Sequence, residues 1–333
     1  MRRLNLGLSI LALAALLAGC VGPAAAPTTT PVPPTPTSIP PTATPAPTDV
    51  VVPTATVQTS SATPESPSSE ANASDVLSGF VENDGVQIHY EVEGEGPPLV
   101  LVHWFTGSLE DWRVFGYVDA LKEDYRLILI DARGHGQSDK PHDPVAYVLE
   151  KQAADIVAVL DELDIDKAHY FGYSMGGTLG WALAKYAPDR LSSLIIGGEA
   201  PEDFDASGDI ASLRRSSAEE RGHEAASYFG QYGFPEDEIY ALYSAIDFEA
   251  VIADLQTFSS EDFAPDLPDM SMPILLLVGS QDGDKAALMA AADKLPNATF
   301  TSLRGYNHAT AYMQTDLVVE QVTKFLAEAG DTP

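Results

Sequence analysis

A serine between two glycines is the residue of this chain best placed for nucleophilic chemistry. Ser174 lies in Gly172-Tyr173-Ser174-Met175-Gly176, between an apolar aromatic approach and a helical pattern. A serine at so sharp a turn from strand to helix adopts a strained backbone, so the positions two before and two after it accept only very small side chains. The N–H of Met175, at the helix start, can stabilise a developing oxyanion. The competing interpretation, a chance five-residue match, is weakened by the flanking strand and helix.

The segments around Ser174 predict a sheet that positions it. Apolar alternation over residues 79–103 predicts two paired strands and a buried third. Further along the chain, apolar runs and helical spacing predict strands at 125–130, 167–171, 191–196 and 274–278 and helices at 145–163, 178–186 and 315–329. Near-continuous apolar strands that alternate with helices are typical of an α/β protein with a mostly parallel, doubly wound sheet.

The first twenty residues have the pattern of a secretory signal. Arg2 and Arg3 precede an apolar run over residues 4–18, which is short for a bilayer span, and Cys20 follows directly after Ala18-Gly19. The pattern resembles a bacterial lipoprotein signal peptide, 1–20, whose cysteine thiol is acylated. We expect Cys20 to carry a lipid that anchors the protein outside the cytoplasm; an unlipidated secreted protein and an uncleaved anchor are the alternatives.

The composition changes abruptly after Cys20. Residues 21–75 are rich in proline, threonine, serine and alanine, and such a segment cannot bury enough apolar surface to offset its ordering entropy. We expect a disordered stalk that reaches up to roughly 170 Å if fully extended at about 3.1 Å per residue. The folded domain is expected over residues 76–330.

Charge and ligand spacing exclude several classes of partner. The formal net charge of −31 repels phosphate backbones and anionic lipids, so no nucleic-acid partner is expected and membrane contact must come through Cys20. The seven histidines are scattered and Cys20 is the only cysteine, which gives none of the close spacings of zinc sites. We expect no metal, no cofactor and a monomer.

Four other short motifs follow the predicted strands in a fixed order. They are His103-Trp104-Phe105-Thr106-Gly107-Ser108, Asp131-Ala132-Arg133-Gly134-His135-Gly136-Gln137-Ser138-Asp139, Gly279-Ser280-Gln281-Asp282 and Gly305-Tyr306-Asn307-His308. Together with the motif around Ser174, they make residues 79–329 resemble the α/β-hydrolase superfamily. The resemblance implies an α/β-hydrolase fold with a helical cap, at about 199–270, inserted after the sixth strand.

The resemblance also implies a catalytic triad. An unactivated serine hydroxyl is a weak nucleophile, so a histidine must take its proton and a carboxylate must orient that histidine. Ser174, His308 and Asp282 would fill these roles in the order typical of the family. Asp284, two residues beyond Asp282, and Glu199, just past the sixth strand, are the alternative positions for the acid.

The loop motif departs from the family pattern at one position. The resemblance assigns the oxyanion hole to the backbone N–H groups of Phe105 and Met175, but Trp104 stands where relatives usually carry glycine. We expect the indole to turn away from the hole and to line a substrate pocket with Tyr173. An indole that blocks the hole would instead indicate a hydrolase-like fold used for binding without turnover.

The implied activity is that of a serine hydrolase acting on a small-molecule ester or lactone through an acyl-enzyme on Ser174. Carbon–carbon bond hydrolysis, perhydrolysis and aminopeptidase activity use the same triad and remain open. Haloalkane dehalogenases and epoxide hydrolases use an aspartate nucleophile in this fold, so the serine argues against both.

Overall fold

Eight strands form a single sheet in the described part of the chain. They are β1 Leu77–Asn83, β2 Val86–Glu93, β3 Pro98–Val102, β4 Arg126–Ile130, β5 Ala168–Tyr173, β6 Leu191–Gly197, β7 Ile274–Gly279 and β8 Ala298–Leu303. Their order across the sheet is β1-β2-β4-β3-β5-β6-β7-β8. β2 runs antiparallel to both of its neighbours, and every other pair is parallel. The predicted mostly parallel sheet is therefore confirmed.

The structure, a computed structural model, describes residues 76–258 and 260–330. The predicted signal peptide, the acylation site Cys20 and the predicted stalk at 21–75 lie outside the described residues. Within the described ranges, no helix combines the length and apolar character that crossing a membrane requires.

Helices cover both faces of the sheet. They are α1 Glu110–Val114, α2 Tyr117–Leu121, α3 Leu149–Glu162, α4 Met175–Tyr186, α5 Ser207–Leu213, α6 Ala218–Gly230, α7 Glu236–Ser244, α8 Phe248–Phe258, α9 Lys285–Ala292, α10 His308–Tyr312 and α11 Thr315–Ala329. Because successive strand residues point to opposite faces, Val100 of β3 packs into the core beneath α3 and α4, while Leu101 packs into the core with α2 and α11. The predicted doubly wound arrangement is confirmed.

Two elements differ from what was predicted from the sequence. The predicted helix at 145–163 is a 3₁₀ turn, Pro144–Tyr147, and then α3, because Val148 has an extended ψ of 137°. The helix after the nucleophile spans Met175–Tyr186, so the expected position of Met175 at its start is confirmed. A final strand before His308 was expected from the resemblance, but its bounds were not predicted, because β8 is a partly exposed edge strand rich in threonine and serine that lacks an apolar run.

The segment between β6 and β7, assigned from sequence to a cap, divides into two parts. α6 and α7 form a small core of their own with Ala225, Phe229, Ile239 and Tyr243. By contrast, α5 and α8 contribute to the main core under the sheet, for example through Leu255. Only the α6–α7 pair is thus packed separately from the sheet.

Candidate active site

Ser174 occupies the strained turn between β5 and α4. Its backbone has φ 54° and ψ −119°, a conformation that side-chain-bearing residues rarely adopt. A Cβ on Gly172 would lie 2.0 Å from the carbonyl oxygen of Gly176, and a Cβ on Gly176 would lie 2.2 Å from that of Val102. The two glycines are therefore required by close backbone contacts. Met175 lies in the first turn of α4, where a backbone N–H has no acceptor within the helix. Its N–H is therefore available to a ligand.

The structure pairs His308 with Asp282. Nδ1 of His308 lies 2.9 Å from Oδ2 of Asp282, and both side chains are buried. His308 opens α10, whose start is held by a reciprocal cap in which Asn307 accepts from the N–H of Thr310 and donates its own N–H to the Thr310 hydroxyl, each at 2.9 Å. With Nδ1 engaged by a carboxylate, Nε2 is the nitrogen left to accept a proton.

Ser174 and His308 border the same turn after β6. The N–H of Ser174 donates to the carbonyl oxygen of Gly197 at 2.8 Å, and a Cβ on Gly198 would lie 3.0 Å from Cε1 of His308. Tyr173, next to the nucleophile, donates its hydroxyl to the carbonyl oxygen of His308 at 2.6 Å. The fold thus brings together the elements that carry Ser174, Asp282 and His308.

Glu199, the alternative acid, is buried in the same region. Burial raises the pKa of its carboxyl well above the ordinary value, and the charges of Asp284 and Asp282 raise it further, while the neighbouring Thr178 hydroxyl opposes them. A carboxyl whose pKa is raised in this way is ionised less readily than Asp282 and is the poorer source of negative charge for an imidazolium. The carboxylate bonded to His308 is that of Asp282.

The charge of Asp284 sets part of the pH dependence expected of this site. Burial lowers the pKa of His308, but Asp282, its hydrogen bond and the charge of Asp284 together raise that pKa above 6.5. A general base must be neutral, so Asp284→Asn should move the acid limb of the kcat/KM profile to lower pH. We expect a shift of a few tenths of a pH unit, in keeping with a charge that acts without a direct bond to the imidazole. A profile displaced to higher pH would contradict this arrangement; the surface variant Asp293→Asn is the control.

The loop after β3 is held at both ends. His103 donates from Nδ1 to the carbonyl oxygen of Trp104 at 2.8 Å and accepts the N–H of Ala132 at 3.2 Å. At the far end, the carboxylate of Asp131 accepts the N–H of Leu109 at 2.8 Å. Thr106 between them has φ 68°, a left-handed conformation that is costly for a β-branched residue. The backbone around Phe105, one of the two predicted oxyanion donors, is therefore constrained.

Trp104 and Tyr173 line a narrow cavity next to His308. The indole of Trp104 packs edge-on against the rings of Phe115 and Tyr312, with centroid separations of 5.2 and 4.3 Å. The cavity has a volume of about 20 Å³, enough for little more than one water molecule. The cavity is therefore too small to hold an ester as it stands.

Several wall residues were not predicted from the sequence. Phe115 directly follows α1, and Tyr312 and Met313 lie at the end of the short helix that His308 begins. Their signal was weak, because isolated aromatics are as typical of a core as of a pocket. The position of Tyr312 and Met313, one turn after His308, was the one available indication.

The described ranges contain no group of three or more histidine, cysteine, aspartate or glutamate side chains arranged to hold a metal ion. Of the acidic residues near His308, Asp282 is hydrogen-bonded to the imidazole. The prediction that no cofactor is used remains a prediction.

Comparison with known proteins places the chain among hydrolase-like folds. A family model described as alpha/beta hydrolase fold matches residues 97–227. A Bacillus subtilis protein provisionally named 2-succinyl-6-hydroxy-2,4-cyclohexadiene-1-carboxylate synthase is 37% identical over 123 residues, 36% of this chain and 43% of that protein. Epoxide hydrolase 3 of Siraitia grosvenorii is 32% identical over 116 residues, 34% of this chain and 36% of that protein. The chain thus spans less than half the length of these two relatives.

A solved structure extends the likeness over the whole described domain. The enol-lactonase from Burkholderia xenovorans LB400 superposes with a TM-score of 0.67 at 25% identity, covering 75% of this chain and 100% of that chain.

Proposed function

We propose that this chain, which has the α/β-hydrolase fold, is a serine hydrolase acting on small-molecule esters or lactones. The observation that carries the proposal is the strained turn at Ser174 beside the bonded pair of His308 and Asp282. The likeness to an enol-lactonase over its full length supports a lactone or ester in particular.

The proposed reaction follows from the positions of these groups. Oγ of Ser174 attacks the ester carbonyl carbon while Nε2 of His308 takes its proton, and Asp282 stabilises the imidazolium. The carbonyl oxygen becomes an oxyanion that accepts from the N–H groups of Met175 and Phe105. The intermediate expels the alcohol, which receives the proton from His308, and water then hydrolyses the acyl-enzyme by the same steps.

The serine also distinguishes this proposal from epoxide opening. Several relatives are named epoxide hydrolases, but the resemblance assigns an aspartate to the nucleophile position of that chemistry, and position 174 is a serine. A panel of nitrophenyl esters, lactones and epoxides together with fluorophosphonate labelling tests the proposal. Turnover of epoxides without labelling would contradict it.

A second candidate function is binding without turnover, and the cavity volume of about 20 Å³ favours it. In that case the wild-type protein would neither react with a fluorophosphonate nor turn over any ester. Measurable labelling of the wild type would exclude a permanently closed site.

Replacing Trp104 tests whether the indole limits access. The indole is 7% exposed and its loss should lower the unfolding free energy by about 3–5 kcal/mol. Trp104→Gly should nonetheless retain labelling of Ser174 and shift ester preference toward bulkier acyl groups, because the wall of the cavity is removed. Initial rates on short and long acyl esters measure the shift.

If the indole instead blocks the oxyanion hole, the outcome differs. Trp104→Gly would then raise turnover of all esters by about a hundred- to a thousandfold, the value of an oxyanion donor, with an unchanged chain-length profile. That result would contradict the pocket-wall interpretation. Trp104→Leu, which keeps apolar bulk, serves as the matched control for the cost in stability.

We also propose that Cys20 anchors the enzyme to the outer side of a bacterial cell membrane. The support is the signal-like pattern of residues 1–20 and the composition of residues 21–75. Cys20→Ser should release the protein from the membrane fraction or leave an unprocessed precursor, because the acyl chains supply the attachment. A processed variant that still sediments with membranes at high salt would contradict the proposal.

A further inference from the structure

The carboxylate of Asp131, which holds the far end of the loop after β3, joins three segments of the chain. Its Oδ1 accepts the N–H of Leu109 at 2.8 Å, and its Oδ2 accepts the N–H of Gln137 at 2.8 Å. Oδ2 also lies 2.8 Å from Nδ1 of His89, a fully buried residue of β2. Within the described ranges, this imidazole is the one side chain hydrogen-bonded to the carboxylate.

The proton between His89 and Asp131 belongs to the imidazole. Burial raises the pKa of Asp131, but the hydrogen bond from His89, the nearby His103 and the two backbone N–H groups together lower it below the ordinary value. An ionised carboxylate only accepts hydrogen bonds, so Nδ1 of His89 donates. Hydrogen bonds to a charged acceptor are roughly twice as strong as those between neutral groups. The bonds to His89 and to Leu109 therefore depend on the same negative charge.

The imidazole of His89 is also held at its other nitrogen. Nε2 lies 3.0 Å from Oγ of Ser78 in β1 and 3.6 Å from Oε1 of Glu91 in β2. The ring of Phe80 packs against the imidazole at a centroid separation of 4.9 Å. A buried ring with these contacts has one orientation, which directs Nδ1 at Asp131.

The loop after β3 depends on this arrangement at both ends. The N–H of the residue that follows Asp131 donates to Nε2 of His103 where the loop begins, and Asp131 itself accepts from Leu109 where it ends. Phe105, the predicted oxyanion donor, lies between them and precedes Thr106 with its φ of 68°. Because this backbone conformation is costly, it persists only while the surrounding contacts hold it.

Resting on the proposed function, we propose that His89 is a positioning residue that orients the carboxylate of Asp131 and thereby places the N–H of Phe105 in the oxyanion hole. β2 is separated from β5, which carries the turn at Ser174, by two strands of the sheet, so His89 acts through Asp131 and not on the substrate. Loss of the Nδ1 donor would favour the neutral form of the Asp131 carboxyl. The bond to Leu109 would then weaken, and the oxyanion donor would lose its fixed place.

Two substitutions of His89 differ in the group that matters. His89→Phe removes the donor and keeps a ring, whereas His89→Asn keeps an N–H₂ donor as many bonds from the backbone as Nδ1. In both, the backbone bonds of residue 89 to the Ser138 hydroxyl and to the N–H of Asp131 remain. We expect His89→Phe to lower kcat on a nitrophenyl ester by about tenfold to a hundredfold with little change in KM, because a displacement of about 1 Å can cost about a hundredfold. His89→Asn should recover most of this loss.

A matched pair of substrates distinguishes positioning from a general loss of stability. An ester and its thionoester differ in one atom, since sulfur, a weaker hydrogen-bond acceptor, replaces the carbonyl oxygen. The ratio of kcat/KM for ester to thionoester should fall by about tenfold in His89→Phe, because part of the stabilisation by an oxyanion donor is lost, and should recover in His89→Asn. His169, a buried imidazole bonded to Ser193 at 2.7 Å in the same sheet, provides the control. His169→Phe should leave the ratio unchanged, and an unchanged ratio in His89→Phe would overturn the proposal.

Hydrogen exchange separates this proposal from the hydrolase assignment, because it needs no turnover. The N–H of Leu109 should exchange at least about tenfold faster in His89→Phe than in the wild type, as expected of a local opening, and at the wild-type rate in His169→Phe. Unchanged exchange in His89→Phe would overturn the positioning role whatever the activity. Faster exchange, together with a wild type that hydrolyses no ester, would overturn the hydrolase proposal and leave the anchoring of the loop by His89 in place.

Discussion

Ser174→Ala is expected to abolish covalent labelling and to reduce ester turnover by about a millionfold, the loss seen when a triad nucleophile is removed. The substitution deletes one oxygen atom and leaves the backbone bond from the N–H of residue 174 to Gly197 in place. The fold should therefore survive, and the loss should appear in kcat rather than in KM. Fluorophosphonate labelling and steady-state kinetics on a nitrophenyl ester measure it.

A buried serine at the opposite end of the neighbouring strand provides the control for this result. Ser193 is buried in β6, and its hydroxyl hydrogen-bonds His169 at 2.7 Å. Ser193→Ala removes the same atom from the same sheet and should leave labelling intact. Labelling that persists in Ser174→Ala, or that is lost in Ser193→Ala, would assign the nucleophile elsewhere.

Asp282→Asn is expected to reduce kcat by about ten-thousandfold with little change in the fold. The amide that replaces the carboxylate no longer stabilises the imidazolium of His308, and its N–H₂ can favour the wrong tautomer of that ring. The 2.9 Å contact between Nδ1 and Oδ2 is the bond that the substitution disrupts. Single-turnover kinetics would place the loss in the acylation step.

Glu199→Gln is the matched control for the acid. Burial raises the pKa of Glu199 and its carboxyl is not the one bonded to His308, so an amide of the same shape should leave the orientation and charge of the imidazole nearly unchanged. Turnover should change by less than about tenfold. A large loss in Glu199→Gln with near-normal turnover in Asp282→Asn would move the acid to the end of β6.

The sheet could be predicted from the sequence because its central strands are buried on both faces. A strand such as Ile274–Gly279 must be apolar at every position, and that leaves a continuous run that is easy to recognise. The edge strand Ala298–Leu303 is partly exposed on both faces, so its composition resembles that of a loop. The break at Val148 was hidden for a related reason: a 3₁₀ turn and a helix present similar apolar spacing.

The candidate site was predictable where backbone geometry restricts the residue type. Gly172 and Gly176 are limited by contacts near 2 Å, so the motif around Ser174 is a physical requirement that can be read from the chain. The pocket walls carry no such restriction. Phe115, Phe229 and Tyr312 meet only through tertiary packing, and any large apolar residue satisfies the local pattern at each position.

The α6–α7 pair has a consequence for how substrate range can diversify in such a scaffold. A Cβ on Gly222, in the second turn of α6, would lie 3.3 Å from Cβ of Ser244, the last residue of α7. The two ends of the hairpin therefore lie close together in the domain. Replacing it by another hairpin would leave the register of every strand unchanged and would add little to the entropic cost of closing the loop. Because the hairpin supplies Phe229 to the cavity next to His308, recombination at its two ends would exchange substrate specificity as a unit while the Ser174, Asp282 and His308 positions are inherited unchanged.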